Sequence, residues 1–116
     1  MDEMSDQLSA VFGALADPTR RAILARLADG DANVAELTAQ FNVYQPAISK
    51  HLKVLEAAGL VTRTRRATTR LSHLEADPLR TATEWLVGYR EYWEESHQRL
   101  DALLAALQVD PQERNR

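Results

Sequence analysis

The sequence predicts a mainly α-helical fold that carries one small β-hairpin. Three observations predict it. Apolar residues recur at helical spacing in four short segments before residue 60. Two runs rich in β-branched and long side chains, residues 61–66 and 69–74, follow with only Ala67-Thr68 between them. A heptad of large apolar residues then continues to Leu107.

Each element has its own local cause. Leu8, Val11, Phe12 and Leu15 stand at i, i+3, i+4, i+7, which makes one apolar helical stripe. Asp17-Pro18 closes that helix and opens the next, because Asp caps well and Pro is pre-set for a first helical turn. Ile23, Leu24 and Leu27 form the second stripe, which ends at Asp29-Gly30-Asp31. Asn33 and Glu36 make a capping-box pair before Val34, Leu37 and Phe41. After the turn Asn42-Val43-Tyr44, Pro46 stands near the start of a fourth helix whose stripe is Ile48, Leu52 and Leu55. Gly59 stops it. The hairpin turn lacks the Gly or Asn that two-residue turns favour. Asp77-Pro78 repeats the cap-and-start signal, and one long helix is expected to run to about Gln108. Asp110-Pro111 closes it, and residues 111–116 form a polar tail.

The last helix predicts a partner. Leu79, Leu86, Trp93, Leu100 and Leu107 recur every seven residues, with Ala82, Tyr89, Ser96 and Leu103 three positions after the first four. A helix from Pro78 to Gln108 is roughly 46 Å long, whereas a chain of this size has a radius of gyration of about 13 Å. Such a stripe outruns its own domain, and a second copy of the chain is the simplest cover. The first helix has little else to pack on and is expected in the same interface. The expected homodimer surface is therefore Leu8, Val11, Phe12, Leu15, Leu79, Ala82, Leu86, Tyr89, Trp93, Leu100, Leu103 and Leu107. Gly88 marks a bend in the long helix or a close approach by the partner. Trp85, Tyr89, Tyr92 and Trp93 read as packing residues first, and as the lining of an effector pocket second.

Two short helices, a tight turn and a hairpin together make a winged helix-turn-helix, whose second helix enters the major groove of DNA. With Ile48, Leu52 and Leu55 on the buried side, Pro46, Lys50 and Lys53 fall within about 40° of the opposite side. Ser49 is on the flank and Gln45 at the tip. Lysines neutralise phosphates, Gln and Ser bond base edges, and small residues such as Pro46 and Ala47 admit the groove wall. His51 is about 60° from the buried side, which suits an imidazole bonded to backbone or phosphate. In the wing, Arg63, Arg65, Arg66 and Arg70 alternate with threonines that include Thr68, a composition suited to phosphates or a narrow minor groove.

Charge geography agrees. The 116-residue chain has a net charge of −3, but residues 41–70 alone carry +5 between flanks of −4 each. The expected partner is therefore double-stranded DNA. There is no cysteine, which excludes disulfides, thiolate metal sites and a cysteine nucleophile. The longest unbroken apolar run is six residues, too short for a membrane span of about 20. A cytoplasmic location is expected. No nucleophile elbow or phosphate loop points to an enzyme.

Three blocks carry a resemblance. Ala16-Asp17-Pro18-Thr19-Arg20-Arg21-Ala22-Ile23-Leu24, then Gln45-Pro46-Ala47-Ile48-Ser49-Lys50-His51-Leu52-Lys53-Val54-Leu55, then Ala58-Gly59-Leu60-Val61, resemble the ArsR (ArsR/SmtB) family of bacterial transcriptional repressors. The likeness covers about residues 8–108. It implies a dimeric winged helix-turn-helix that binds an operator. It also maps Tyr44, Gln45, Ser49, Lys50 and His51 onto the family's reading positions, and residues 65–70 onto its wing.

The chain departs from the family at three places. Tyr44 replaces the usual Ser or Thr cap, and its hydroxyl cannot reach the first amides of its own helix. Its ring is left to the DNA backbone or to the surface. Ala67-Thr68 replaces the usual Gly-Arg of the wing tip. Glu36-Leu37-Thr38-Ala39-Gln40 holds no thiol pair, and His97 with Glu94 and Asp101 is a poor transition-metal set. The resemblance is therefore to the metal-independent branch, with no metal and no cofactor expected. A metal- or ligand-responsive sensor of the same fold, and a winged-helix protein-interaction module, are the alternatives. Arg20 and Arg21 read as a structural ion pair or as phosphate contacts, and His73 as a surface residue.

The expected organisation is one domain over residues 1–110, with the helix-turn-helix at 34–58 and the wing at 60–74. Helices 5–16 and 78–108 are the expected dimerisation elements.

Overall fold

The caps that the sequence carries are made in three dimensions. In a computed structural model that describes residues 3–107, Asp17 takes extended backbone angles and its Oδ2 accepts from the N–H of Arg20 at 3.0 Å. Helix α2 (Pro18–Ala28) starts there, directly after α1 (Glu3–Leu15). The Asp17 carboxyl is held below its ordinary pKa chiefly by that N–H, since the bond favours the charged form. Both halves of the Asn33–Glu36 capping box are present, at 2.8 and 3.1 Å, and they start α3 (Val34–Phe41). A left-handed Asn42 ends it. Tyr44 caps α4 (Gln45–Ala57) without any side-chain bond, as its reach requires. The strands β1 (Val61–Arg66) and β2 (Thr69–Leu74) pair antiparallel, from Val61 opposite Leu74 to Arg66 opposite Thr69.

The end of α4 shows why glycine is at 59. The N–H of Leu60 bonds Leu55 O at 2.9 Å and that of Gly59 bonds Glu56 O at 3.0 Å. These are the two bonds of a Schellman motif. Gly59 sits at φ +80, and a Cβ there would meet Gln7 Nε2 at 3.3 Å and Pro78 Cγ at 3.6 Å. Gly59→Ala is therefore expected to cost about 1–2 kcal/mol in urea unfolding. A loss below a few tenths would show that the turn relaxes freely.

Contacts divide the chain between Thr83 and Glu84 into two units. The first holds the core. Ile23, Leu37, Ile48, Leu52, Leu55 and Leu60 are fully buried, so the stripes of α2, α3 and α4 meet as the periodicity requires. Two sequence expectations change here. Helix α1 does have an intrachain partner: it packs on α2 and α4, and Val11 is 1% exposed. Ala82 is 4% exposed, and Leu8, Phe12, Leu15 and Leu79 pack against the same core. Val11 and Ala82 thus belong to the chain's own core. Their stripe is satisfied by the chain's own helices before any partner arrives.

The wing base adds a contact between distant segments, and His73 lies on the surface there. Ala32, in the connector before α3, forms a two-way backbone bridge with Ser72, at 3.2 and 2.8 Å. His73 Nδ1 meets Asp31 Oδ1 at 2.7 Å beside it. This bond and the Asp31 charge raise the His73 pKa above its ordinary 6.5. A raised folded value adds stability that is complete below the unfolded pKa and is lost as pH rises through the folded one. The melting temperature is expected to fall as pH rises above about 6.5, the ordinary histidine value, less steeply in Asp31→Ala. Equal slopes in both proteins would refute the link.

The second unit begins inside α5 (Asp77–Val87) and continues into α6 (Arg90–Leu107). The single long helix is therefore corrected to two. The N–H of Gly88 is shared between Glu84 O and Trp85 O at 3.2 Å, and that of Tyr89 turns to Leu86 O at 3.0 Å. The i→i−4 ladder breaks where glycine has the weakest helix preference of the neighbourhood. No residue of α6 is buried, and Leu86, Tyr89, Trp93, Leu100, Leu103 and Leu107 are all more than half exposed. The aromatics are not chain-core residues either: Trp85 and Tyr92 are exposed, and Trp85 meets Tyr89 edge-on at 5.2 Å. The His97 ring lies against that of Trp93, centroids 4.3 Å apart and planes tilted by 52°. The expected stop at Asp110-Pro111 and the tail lie outside the described residues.

Candidate nucleic-acid interface

Burial fixes which face of α4 is free. Ile48, Leu52 and Leu55 are each wholly buried, so the opposite side of the helix must look outward. Gln45, Pro46, Ser49, Lys50 and Lys53 line one open hollow of about 490 Å³ along that side. Gln45, Pro46, Lys50 and Lys53 are exposed, while Ser49 and Ala47 are half-buried. Among the described residues neither lysine has an ion pair, so both charges face solvent. The helix start adds its positive dipole end near Gln45. Tyr44 is 78% exposed, which leaves its ring on the surface beside Gln45.

His51 is not part of that hollow. Its Nδ1 is 3.4 Å from Arg20 Nη1 and 4.0 Å from Asp17 Oδ2. The imidazole therefore ties α4 to the start of α2. Arg20 itself is neither the expected ion pair nor a free phosphate contact. Its Nε donates to Ala14 O at 2.7 Å and its Nη2 to Gly13 O at 3.1 Å. Arg21 Nη1 donates to Leu15 O at 2.6 Å. Both guanidinium groups serve the last carbonyls of α1, at the negative end of its dipole.

The wing divides by strand alternation. Arg65 and Arg70 are opposed and exposed. Arg66, at the far end of β1, is exposed, as is Thr68 in the turn. Arg63 differs: it is half-buried opposite Ser72, and its Nε has no partner. The turn is tight because Ala67 adopts φ +56, a region that favours glycine. Among the described residues no group of three or more His, Asp or Glu is placed to hold a metal ion. No described helix is long and apolar enough to cross a membrane.

The fold and this face set the frame for comparison with known proteins. Residues 17–63 match the sequence profile of the bacterial regulatory proteins of the arsR family. The chain is 46% identical over 86 residues to the HTH-type transcriptional regulator Rv2034 of Mycobacterium tuberculosis, across 67% of this chain and 80% of that one. It is 32% identical over 82 residues to the transcriptional repressor SdpR of Bacillus subtilis, across 71% of this chain and 91% of that one.

The chain belongs to the arsR family.

Solved structures agree. An ArsR family transcriptional regulator, RHA00566, superposes with a TM-score of 0.71 at 38% identity, over 81% of this chain and 97% of that one. The homodimeric winged helix-turn-helix DNA-binding domain Mb0332 of Mycobacterium bovis superposes with a TM-score of 0.62 at 26% identity, over 82% and 93%. As an arsR-family chain, this protein is a transcriptional regulator with a winged helix-turn-helix, and α3, α4 and the β1–β2 wing are its parts.

Proposed function

We propose that this arsR-family protein is a homodimeric repressor that binds double-stranded operator DNA. The carrying observation is the outward face of α4, where Gln45, Pro46, Ser49, Lys50 and Lys53 form one open hollow opposite a fully buried stripe. Lys50 and Lys53 neutralise backbone phosphates, and Gln45 and Ser49 offer hydrogen bonds to base edges. Arg65, Arg66, Thr68 and Arg70 on the wing take a neighbouring backbone or minor groove. His51 acts indirectly, holding α4 against Arg20. The exposed stripe of Leu86, Tyr89, Trp93, Leu100, Leu103 and Leu107 pairs with a second copy. A relative named as a repressor and a structural neighbour described as a homodimeric DNA-binding domain support the same reading.

Binding to a duplex from the protein's own upstream region, measured across a salt series, tests it. Lys50→Ala is expected to weaken all duplexes alike and to flatten the log–log salt slope by about one. Ser49→Ala is expected to cut discrimination between the specific and a random duplex by about 1–3 kcal/mol. Absence of binding at low salt overturns the proposal.

A further inference from the structure

We propose that Arg20 is a positioning residue for sequence reading: through His51 its guanidinium locks α4 to the end of α1, and so sets how Gln45 and Ser49 meet the bases. This role rests on the DNA-binding reading above and gives a part in specificity to two residues that touch no DNA.

Three helices meet at one planar group. Arg20 stands in the first turn of α2. Its Nε donates to Ala14 O at 2.7 Å and its Nη2 to Gly13 O at 3.1 Å, both in the last turn of α1. The remaining nitrogen, Nη1, lies 3.4 Å from His51 Nδ1 on α4. Each nitrogen of the fork thus has an acceptor, and its rigid plane fixes the three directions together. A guanidinium only donates, so Nδ1 is the accepting nitrogen and the imidazole proton is on Nε2.

Apolar burial alone does not set the roll of α4. Ile48, Leu52 and Leu55 hold the helix in the core, but hydrophobic burial has no preferred direction. A hydrogen bond weakens steeply with angle. His51 stands between Lys50, which lines the open hollow, and the wholly buried Leu52. Its bond to Arg20 therefore fixes the helix about its buried stripe. Recognition groups must be held within about 0.5 Å and about 20°, and Gln45 and Ser49 take that placement from the helix that carries them.

Protonation of the ring opens the lock. Two charged groups face the imidazole, Arg20 and Asp17, both at the start of α2, and Asp17 Oδ2 is 4.0 Å from Nδ1. The N–H of Arg20 holds the Asp17 carboxyl below its ordinary pKa, so it stays charged in mild acid. A protonated Nδ1 cannot accept from Arg20, and its partner becomes the Asp17 carboxylate. The bond that leads on to α1 is then exchanged for one that reaches only the cap of α2.

Discrimination between a duplex from the protein's own upstream region and a random duplex is the readout, at about pH 7.5 and about pH 5.5, a range that spans imidazole titration. At the higher pH, Arg20→Lys and His51→Ala are each expected to lose about tenfold in discrimination, and the double variant no more than either. Random-duplex affinity and its salt slope are expected to stay as in the parent, because neither residue meets a phosphate. His51→Asn, whose Oδ1 takes the place of Nδ1 and binds no proton, is expected to keep discrimination at both pH values. The parent is expected to lose it at the lower one. Should Arg20→Lys not fold in urea titration, the contrast of His51→Ala with His51→Asn carries the test. Full discrimination in His51→Ala, or additive losses in the double variant, overturns the lock. So does a salt slope flattened by about one, which makes the residue a phosphate contact. Imidazole nitrogen NMR on the DNA-free protein reads the lock separately: a proton on His51 Nδ1 at about pH 7.5 overturns it whatever the duplexes do. A parent that binds no duplex at low salt refutes the DNA reading itself, and the positioning role falls with it.

Discussion

Leu52→Ala is expected to lower the unfolding free energy by about 2–5 kcal/mol. Leu52 is wholly buried in the middle of α4, between Ile48 and Leu55. That helix packs against α1, α2, α3 and β1, so the side chain is enclosed on several sides. Removing it forfeits the transfer energy and leaves a cavity that five elements cannot all close. A domain of this size has only about 5–15 kcal/mol in total, so the loss is a large share of it. The effect reaches function because Ser49 and Lys53 flank Leu52 on the same helix. Urea unfolding measures it, with the midpoint falling at constant m-value. Leu52→Met, which keeps the volume, is expected to cost less than about 1.5 kcal/mol. If the alanine variant loses no more than the methionine one, α4 is not anchored through Leu52.

Placing charges on the exposed stripe of α6 is expected to have an effect of similar size on assembly. Leu100 and Leu103 are each more than half exposed in the single chain, although both are large and apolar. In the proposed dimer each is covered twice, once in each copy. Leu100→Glu/Leu103→Glu puts four carboxylates where apolar surface is to be buried. The cost is at least about 4 kcal/mol, which is roughly a thousandfold in the dimer dissociation constant. Analytical ultracentrifugation at micromolar concentration is expected to show the variant at the single-chain mass of 13.0 kDa and the parent at twice that mass. Operator affinity is expected to fall in parallel, because two half-sites are no longer held together. A parent protein that sediments as a single chain would remove the dimer. A variant that stays dimeric would move the interface off this stripe.

The contrast between α4 and the last helices explains what was legible in the sequence. Around α4 three local signals agree. Pro46, the buried stripe and Gly59 specify the same helix, even without a side-chain cap from Tyr44, and a face opposite a buried stripe is outward by geometry alone. The reading face of Gln45, Ser49, Lys50 and Lys53 is therefore available from periodicity. The heptad of the last helices is a weaker guide, because it records apolarity and not which partner supplies cover. Val11 and Ala82 belong to the chain's own core while Leu100 and Leu103 do not, although all four follow helical spacing. The stripe also runs through Gly88 without a break in the pattern, and the helix still breaks there.

By itself the sequence determined the four helices and the hairpin up to Leu74, the basic reading head between acidic flanks, and the lack of any cysteine thiolate. Each is a property of near neighbours along the chain or of composition, which need no fold to be counted. Only the tertiary structure decided what distant residues do to one another. It placed Arg20 on the carbonyls of Gly13 and Ala14 and against His51, 31 positions away. It also clipped β2 to Ala32, which brings Arg63 and Arg70 beside the start of α3. Helical and strand periods fix which face a side chain occupies. Which face of another element it meets depends on packing, and packing is decided by the whole core at once.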